Sequence, residues 1–297
     1  MATSIECERF PEIGGIIHLE HFNFEVLEHD LATAFFINGL GFTRDPYRRT
    51  DETNIGINIG LQQFHLPRRG KRTPPFIGEV GLIVPQIPII KARLDRLDKL
   101  GKFDGSEYAI DDVNEDIMRV RTPYGVRLIL HRAGSIPFLH PLGLTYVDIP
   151  VMPGKAEAVA DFYRRVMGAP AEISLLDGEI SAVVTFGAHQ YVRYRERERE
   201  DYDLHDFHVA CYVSNYNGIR DRVVKQGSLK GDGFGQVFFF DEIFDPDNGE
   251  MIVRFHQEIR SIYHPDFMRP LVNRWPMNDE PFTDLATVTR EIVNMAG

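Results

Sequence analysis

Cysteine is nearly absent from this chain: its 297 residues include two, Cys7 and Cys211. Two thiols cannot build a disulfide framework, so a reducing compartment, the cytoplasm, is the expected setting. Cationic charge is also in deficit, with 33 Lys and Arg against 44 Asp and Glu, a formal net charge of -11. A surface of that sign repels the phosphates of nucleic acid and the headgroups of an anionic membrane, so neither partner is expected. No segment reaches the roughly 18 successive apolar residues of a membrane span. The start, Met1 to Arg9, has no basic stretch followed by an apolar run, so a secretory leader is not expected. Motifs of nucleotide and nucleophile chemistry are missing too. Gly231-Asp-Gly-Phe-Gly235 lacks the dinucleotide-binding spacing and reads as a loop. Neither cysteine has a base beside it, and Cys211 reads as core. The alternating Arg and Glu residues of Arg193 to Asp201 read as a solvated strand end and loop.

What the chain does have is one block repeated four times. The strand openings are His21-Phe-Asn-Phe-Glu-Val26, Glu79-Val-Gly-Leu-Ile-Val84, Tyr146-Val-Asp-Ile-Pro-Val151 and His208-Val-Ala-Cys-Tyr-Val213. Each has Val five places after its first residue, and that first residue is polar or ionisable in every copy. A spacing of ~60 residues is too long for a stacking solenoid and fits a small βαβββ module. In the first block Phe22, Phe24 and Val26 share one strand face, and His21, Asn23 and Glu25 share the other. A helix from Asp30 as N-cap runs through Phe35 and Phe36 to Gly39-Leu-Gly41. Asn54 to Leu66 reads as two strands, after which Pro67 and the basic Arg68 to Arg72 end the block.

The later blocks follow suit, with helices at Ile89 to Leu100, Lys155 to Met167 and Asn217 to Gln226. The closing hairpins turn at Thr122-Pro-Tyr-Gly125 and Asp245-Pro-Asp-Asn-Gly249. Length suits two domains, and Gly134 to Gly143, with two prolines, is the expected boundary between them. The expected division is 1–135, 136–262, and a carboxyl-terminal extension, 263–297. In that extension Thr283 to Met295 reads as an amphipathic helix, with Leu285, Val288 and Ile292 on one stripe. It would pack on its own subunit or form the contact of a homodimer.

These elements together resemble the vicinal oxygen chelate superfamily, which includes glyoxalase I, extradiol ring-cleaving dioxygenases and bleomycin- or fosfomycin-resistance proteins. The resemblance runs from Ile17 to Ser261. It is carried by the His-x-x-x-x-Val strands at His21 and His208, and by the helix ends Phe-Phe-x-x-Gly-Leu-Gly-Phe from Phe35 and Phe-Tyr-x-x-Val-Met-Gly-Ala from Phe162. The implied fold is α+β, with four βαβββ modules paired into two glyoxalase-like incomplete barrels, each offering a cup. Members differ in reaction, so the fold alone chooses no function.

The superfamily pattern places metal ligands on the first and a late strand of each module. Taking the modules in consecutive pairs, the amino-terminal cup would contain His21, His65 and Glu79, with His131 near them in place of a Glu missing near Ile129. Two imidazoles and a carboxylate suit a divalent Fe, Mn, Ni or Zn and leave positions open. Glu79 or His131 would act as base. A metal-free polar pocket is the alternative. The carboxyl-terminal cup would have Tyr146, Val192 and His208 at the equivalent positions and Arg254, or Ile252, on the final strand. A cation there disfavours a metal and the ring-cleaving dioxygenase arrangement, while Tyr146, His208 and Arg254 could bind a small anionic ligand.

The expected function is metal-assisted isomerase, lyase or dioxygenase chemistry on a small oxygen-bearing molecule, with enzymatic activity itself left open. The rival is a metal-free binding or resistance-type protein that sequesters a small molecule. A third reading is a metal-free enzyme using His208 with Tyr146.

Overall fold

A computed structural model describes residues 15–47, 53–68, 76–198, 203–234 and 236–273. Cys7 and the expected helix at 283–295 lie outside the described residues. Four βαβββ modules follow one another. The first is β1 (Ile16–Asn23), α1 (His29–Ala32), β2 (Thr43–Arg44), β3 (Asn54–Ile59) and β4 (Gln62–Pro67). Next come β5 (Glu79–Val84), α2 (Ile87–Lys99), β6 (Ala109–Val113), β7 (Ile117–Arg121) and β8 (Arg127–Arg132). The third is β9 (Gly143–Val151), α3 (Ala156–Phe162), β10 (Ala171–Leu176), β11 (Glu179–Gly187) and β12 (Gln190–Glu196). The last is β13 (Asp203–Val213), α4 (Tyr216–Gln226), β14 (Leu229–Gly233), β15 (Val237–Phe244) and β16 (Met251–Ser261).

Local chemistry explains the elements. Helix α2 takes Pro88 in its first turn, where no hydrogen bond is lost, and buries Ile87, Ile90 and Leu94 at helical spacing. Helix α4 is capped by Asn215, whose side chain accepts from the Gly218 N–H at 3.1 Å, and stops at Gly227 in the left-handed region. Helices α1 and α3 each run on into a π-helical stretch, Thr33–Gly39 and Tyr163–Met167. The wider turn lets two adjacent rings both enter the core. Phe35 and Phe36 are each 0 % exposed, as are Phe162 and Tyr163. The first helix starts two residues earlier than expected, with Glu28 and not Asp30 as its N-cap.

The strands form two eight-stranded sheets. One runs β14-β15-β16-β13-β1-β4-β3-β2, the other β10-β11-β12-β9-β5-β8-β7-β6. This is a glyoxalase-like α+β fold, as expected, but the modules do not pair consecutively. The first pairs with the fourth through the antiparallel β1 and β13, and the second with the third through β5 and β9. The division at 134–143 therefore separates two halves of sequence, not two sheets, because β9 continues the sheet that β5 begins. Hydrogen-bonding edges decide this, and an edge carries no mark in the hydrophobic pattern.

Each sheet turns one face to a shared core and the other to a cup. On β1 and β4, Phe22 pairs in register with Phe64 and His21 with Gln63. Phe22 and Phe64 enter a ring cluster with Phe24, Phe36, Phe76 and Phe207, while His21 faces the cup. Tyr163 bridges the two sheets in the core. Its hydroxyl lies 2.5 Å from that of Tyr194 on β12 and 3.0 Å from Gln257 Oε1 on β16. Cys211 is buried in the core, as the sequence implies.

Candidate functional site

The cup of the first and fourth modules is built on the two central strands, β1 and β13, and their parallel neighbours β4 and β16. His21 Nε2 lies 3.1 Å from His208 Nε2. Glu258 Oε2 lies 3.7 Å from each of those nitrogens. Three ligand atoms in a triangle of that size fit one ion, because ligands at right angles around a metal at about 2.1 Å lie roughly 3.0 Å apart and spread further as the angle opens. The donor set is two imidazoles and one carboxylate, three ligands where a divalent ion of this kind takes about four to six.

The surroundings orient this set. A β-bulge between Leu19 and His21 inserts Glu20 as an extra residue on β1. A bulge sends two consecutive side chains to one face, and so the Glu20 carboxylate hydrogen-bonds His21 Nδ1. That bond fixes the tautomer with the Nε2 lone pair towards His208 and Glu258. On the other side Arg260 donates from Nε to Glu258 Oε1 at 2.6 Å and from Nη1 to Glu20 Oε2 at 3.0 Å. Burial alone would favour a neutral Arg260, but Glu20 and Glu258 outweigh it and push its pKa up. A buried carboxylate, Glu20, and a partly exposed one, Glu258, against one guanidinium leave these three groups with a net negative charge, which favours a cation.

His65, on β4, lies against His21 with ring centroids 3.7 Å apart. Its Nε2 is 3.0 Å from Gln63 Oε1, and Gln63 Nε2 donates at 2.6 Å to both Asp45 and Asn58. Those two acceptors set the amide orientation, so the Gln63 oxygen accepts from His65 Nε2–H and the Nδ1 of the neutral ring carries its lone pair. The segment after β16 braces this chain. Arg269 donates to Asp45 at 2.6 Å, and Asn58 donates to the Val272 carbonyl at 2.9 Å. Although burial opposes it, hydrogen bonds from the Tyr47 N–H, Arg269 and Gln63 hold the Asp45 carboxyl below its usual range.

The expected set is thus divided. His21 and His65 come together, but Glu79 lies on β5 in the other sheet, 3.9 Å from Arg127, and does not join them. His208, expected with Tyr146, stands instead beside His21. His131 and Tyr146 are in the other cup, where His131 Nε2 is 2.9 Å from the Tyr146 hydroxyl. Arg254 is on β16 but is engaged by Glu242 at 2.9 Å. The final-strand carboxylate that the pattern calls for does exist, as Glu258. β13 pairs Ala210 with Glu258 where β5 pairs Gly81 with Ile129, so the last hairpin is longer than the second and counting from the Asp245–Gly249 turn stops short of it. Glu20 was hidden differently, by its bulge.

The second cup encloses a cavity of ≈ 350 Å³ whose lining includes Glu79, Ile129, His131, Tyr146 and Arg193. The Arg193 guanidinium stacks 3.4 Å from the Tyr146 ring centroid and is itself bound to Asp148, which is 1 % exposed. Burial, reinforced by Arg193 and Arg119, lowers the His131 pKa to about 4. Burial pushes the Tyr146 hydroxyl up. Among the described residues, the groups of His, Cys, Asp and Glu able to share an ion are both in the first cup: Glu20, His21 and His65, and His21, His208 and Glu258.

No protein-family model matches the chain, and comparison with curated proteins finds no match either. Its likeness is to solved structures. Glyoxalase I from Zea mays aligns with a TM-score of 0.58 at 12% identity, over 85% of this chain and 94% of that one. A candidate dioxygenase from Bacillus subtilis subsp. subtilis str. 168 aligns at 0.55 with 13% identity, over 95% and 96%. The cppA protein from Streptococcus pneumoniae TIGR4 aligns at 0.50 with 12% identity, over 84% and 100%. The chain has the vicinal oxygen chelate fold. Among its described residues no helix is long and apolar enough to cross a membrane.

Proposed function

We propose that this protein is a divalent-metal-dependent enzyme acting on a small oxygen-bearing molecule in the cup of the first and fourth modules, with His21, His208 and Glu258 as ligands. The observation that carries the reading is the triangle of Nε2, Nε2 and Oε2 at 3.1, 3.7 and 3.7 Å. Two histidines and a carboxylate with open positions are the donor set of non-haem Fe(II) oxygenases, and Mn, Ni or Zn also accept it. Of isomerase, lyase and dioxygenase chemistry, this set favours the last, the reaction class named for the Bacillus subtilis neighbour.

An ion held there would supply Lewis-acid polarisation of two neighbouring substrate oxygens. The chain's own residues do the rest. Glu20 keeps His21 in the tautomer that presents Nε2. Arg260 holds Glu258 in place and offsets part of the buried negative charge. His65, its Nε2–H engaged by Gln63, receives a substrate proton at Nδ1. The aromatic side of the cup, with Phe239 stacked on His256 at 5.5 Å, gives a planar substrate an apolar wall.

The test is metal analysis of the purified full-length chain beside the variants His208→Ala and Glu79→Ala. About one divalent ion per chain, lost in His208→Ala and retained in Glu79→Ala, is the expected result. A protein that takes up no divalent ion when supplied with Fe, Mn, Ni and Zn in turn is instead a metal-free binding protein.

A further inference from the structure

The second cup contains no metal-ligand group among the described residues, yet it has an organised polar interior. Its lining has three guanidinium groups, Arg119, Arg193 and Arg195, and two carboxylates, Glu79 and Asp177. Each guanidinium has a carboxylate partner: Arg119 meets Asp112 at 2.9 Å, Arg193 is bound to Asp148, and Arg195 contacts Asp148, Asp177 and Glu179. A guanidinium has five N–H donors, so a pair with one carboxylate leaves others for a ligand.

The geometry is specific. Tyr146 on β9 is paired in register with Gly81 on β5. A Cβ at Gly81 would come within 2.2 Å of the Tyr146 ring, so the missing side chain lets that ring lie flat across β5. The hydroxyl then reaches His131 on β8 at 2.9 Å, and Arg193 covers the ring at 3.4 Å. Arg119, in register with Ile129 on the next strand, stands on the far side of the same hollow. Ile117, Ile129, Ile136 and Pro137 complete the lining with apolar surface.

We propose that this cup is a second ligand site, separate from the metal cup, for a small organic anion: a carboxylate carried on a flat apolar body. The carboxylate is received between Arg119 and the Tyr146 hydroxyl, and the body lies on the isoleucines. The charge-assisted bond from Arg119 supplies orientation as well as attraction. The His131–Tyr146 pair adapts to an anion. A neutral His131 donates from Nε2 to the tyrosine oxygen, which turns the tyrosine O–H towards the carboxylate. His131 is held neutral by burial and by the same arginines. A cavity of ≈ 350 Å³ is at the lower end of the volumes that accept small organic ligands. The first cup takes no part in this site.

Calorimetric titration of the metal-free full-length protein with sodium benzoate, benzamide and sodium acetate tests the idea. Benzoate has both charge and body, benzamide lacks the charge, and acetate lacks the body. Benzoate should bind at least about tenfold more tightly than either control, a step of roughly 1.4 kcal/mol. Arg119→Gln and Tyr146→Phe should each weaken benzoate about five- to tenfold, whereas His208→Ala leaves it unchanged. The Arg119 side chain is 47% exposed, so its replacement spares the fold, and an unaltered thermal transition confirms that. Equal binding of benzoate and benzamide overturns the proposal. So does loss in His208→Ala with Arg119→Gln unaffected, which moves binding to the first cup. Absence of heat up to about 10 mM benzoate, weaker than any ordinary specific site, also overturns it.

Discussion

The Nε2 atoms of His21 and His208 lie 3.1 Å apart although 187 residues separate them in the chain. They meet because β1 and β13 are hydrogen-bonded neighbours at the centre of one sheet. The first and last modules therefore share a cup, and the middle two share the other.

Glu20 is expected to act on the metal through His21. Glu20→Gln removes the carboxylate that orients Nδ1 and should weaken divalent-ion affinity about 10- to 100-fold. Competition with a fluorescent chelator measures this. An affinity equal to that of the parent protein would show that the bulge at Glu20 serves packing alone.

Arg260 holds the buried carboxylate of Glu20 and the partly exposed one of Glu258, and is itself 4 % exposed. Arg260→Met leaves both acids without their cation, which should destabilise the metal-free protein by about 3–5 kcal/mol. Urea unfolding at pH 7 reports it. Part of that loss should return on adding the divalent ion, since a cation at His21, His208 and Glu258 replaces some of the missing positive charge.

His131 carries a pH dependence whose sign follows from its lowered pKa. Its folded value is about 4 and its ordinary value 6.5. Between these the unfolded chain binds the extra proton and the folded one does not, so stability falls as pH drops from about 6.5 towards 4. Above pH 6.5 the group contributes no slope. Comparing His131→Gln with the parent isolates it from the carboxylates, and the variant should lose less stability across that window. A resonance assigned to His131 by its absence from His131→Gln and titrating near 6.5 in the folded protein contradicts the expectation.

Gly81 should tolerate no side chain. Gly81→Ala places a methyl within 2.2 Å of the Tyr146 ring and should cost about 1–3 kcal/mol through overpacking. The ring must leave its place over β5, so the near-ultraviolet circular dichroism of the tyrosine should change with it. Thermal unfolding and that spectrum check the two parts separately.

The modules were legible in the sequence because their signals are local. Alternation in His21 to Val26, the paired rings at Phe35-Phe36 and Phe162-Tyr163, and the glycine-bearing turns each depend on a few neighbouring residues, and all fall in the expected kind of element except Phe24 to Val26, which follow the end of β1 at Asn23. His21 and His65 were also readable as partners, since both belong to one module and face one way. Glu258 was not. It stands far along a longer final hairpin, with Ala210 paired to Glu258 where Gly81 is paired to Ile129, and strand pairing, not the turn motif, sets that length. Nor was the exchange of partners that sets Glu79, His131 and Tyr146 in one cup and His208 in the other. All four first strands are apolar and extended, so each could border any of the others. Which edges join is decided by backbone hydrogen bonds and by the burial gained when all four modules close on one core. Those energies belong to residues far apart in the chain. The sequence by itself determined the four modules and which faces are polar; the tertiary structure alone decided which polar faces meet, and so where an ion and a substrate would sit.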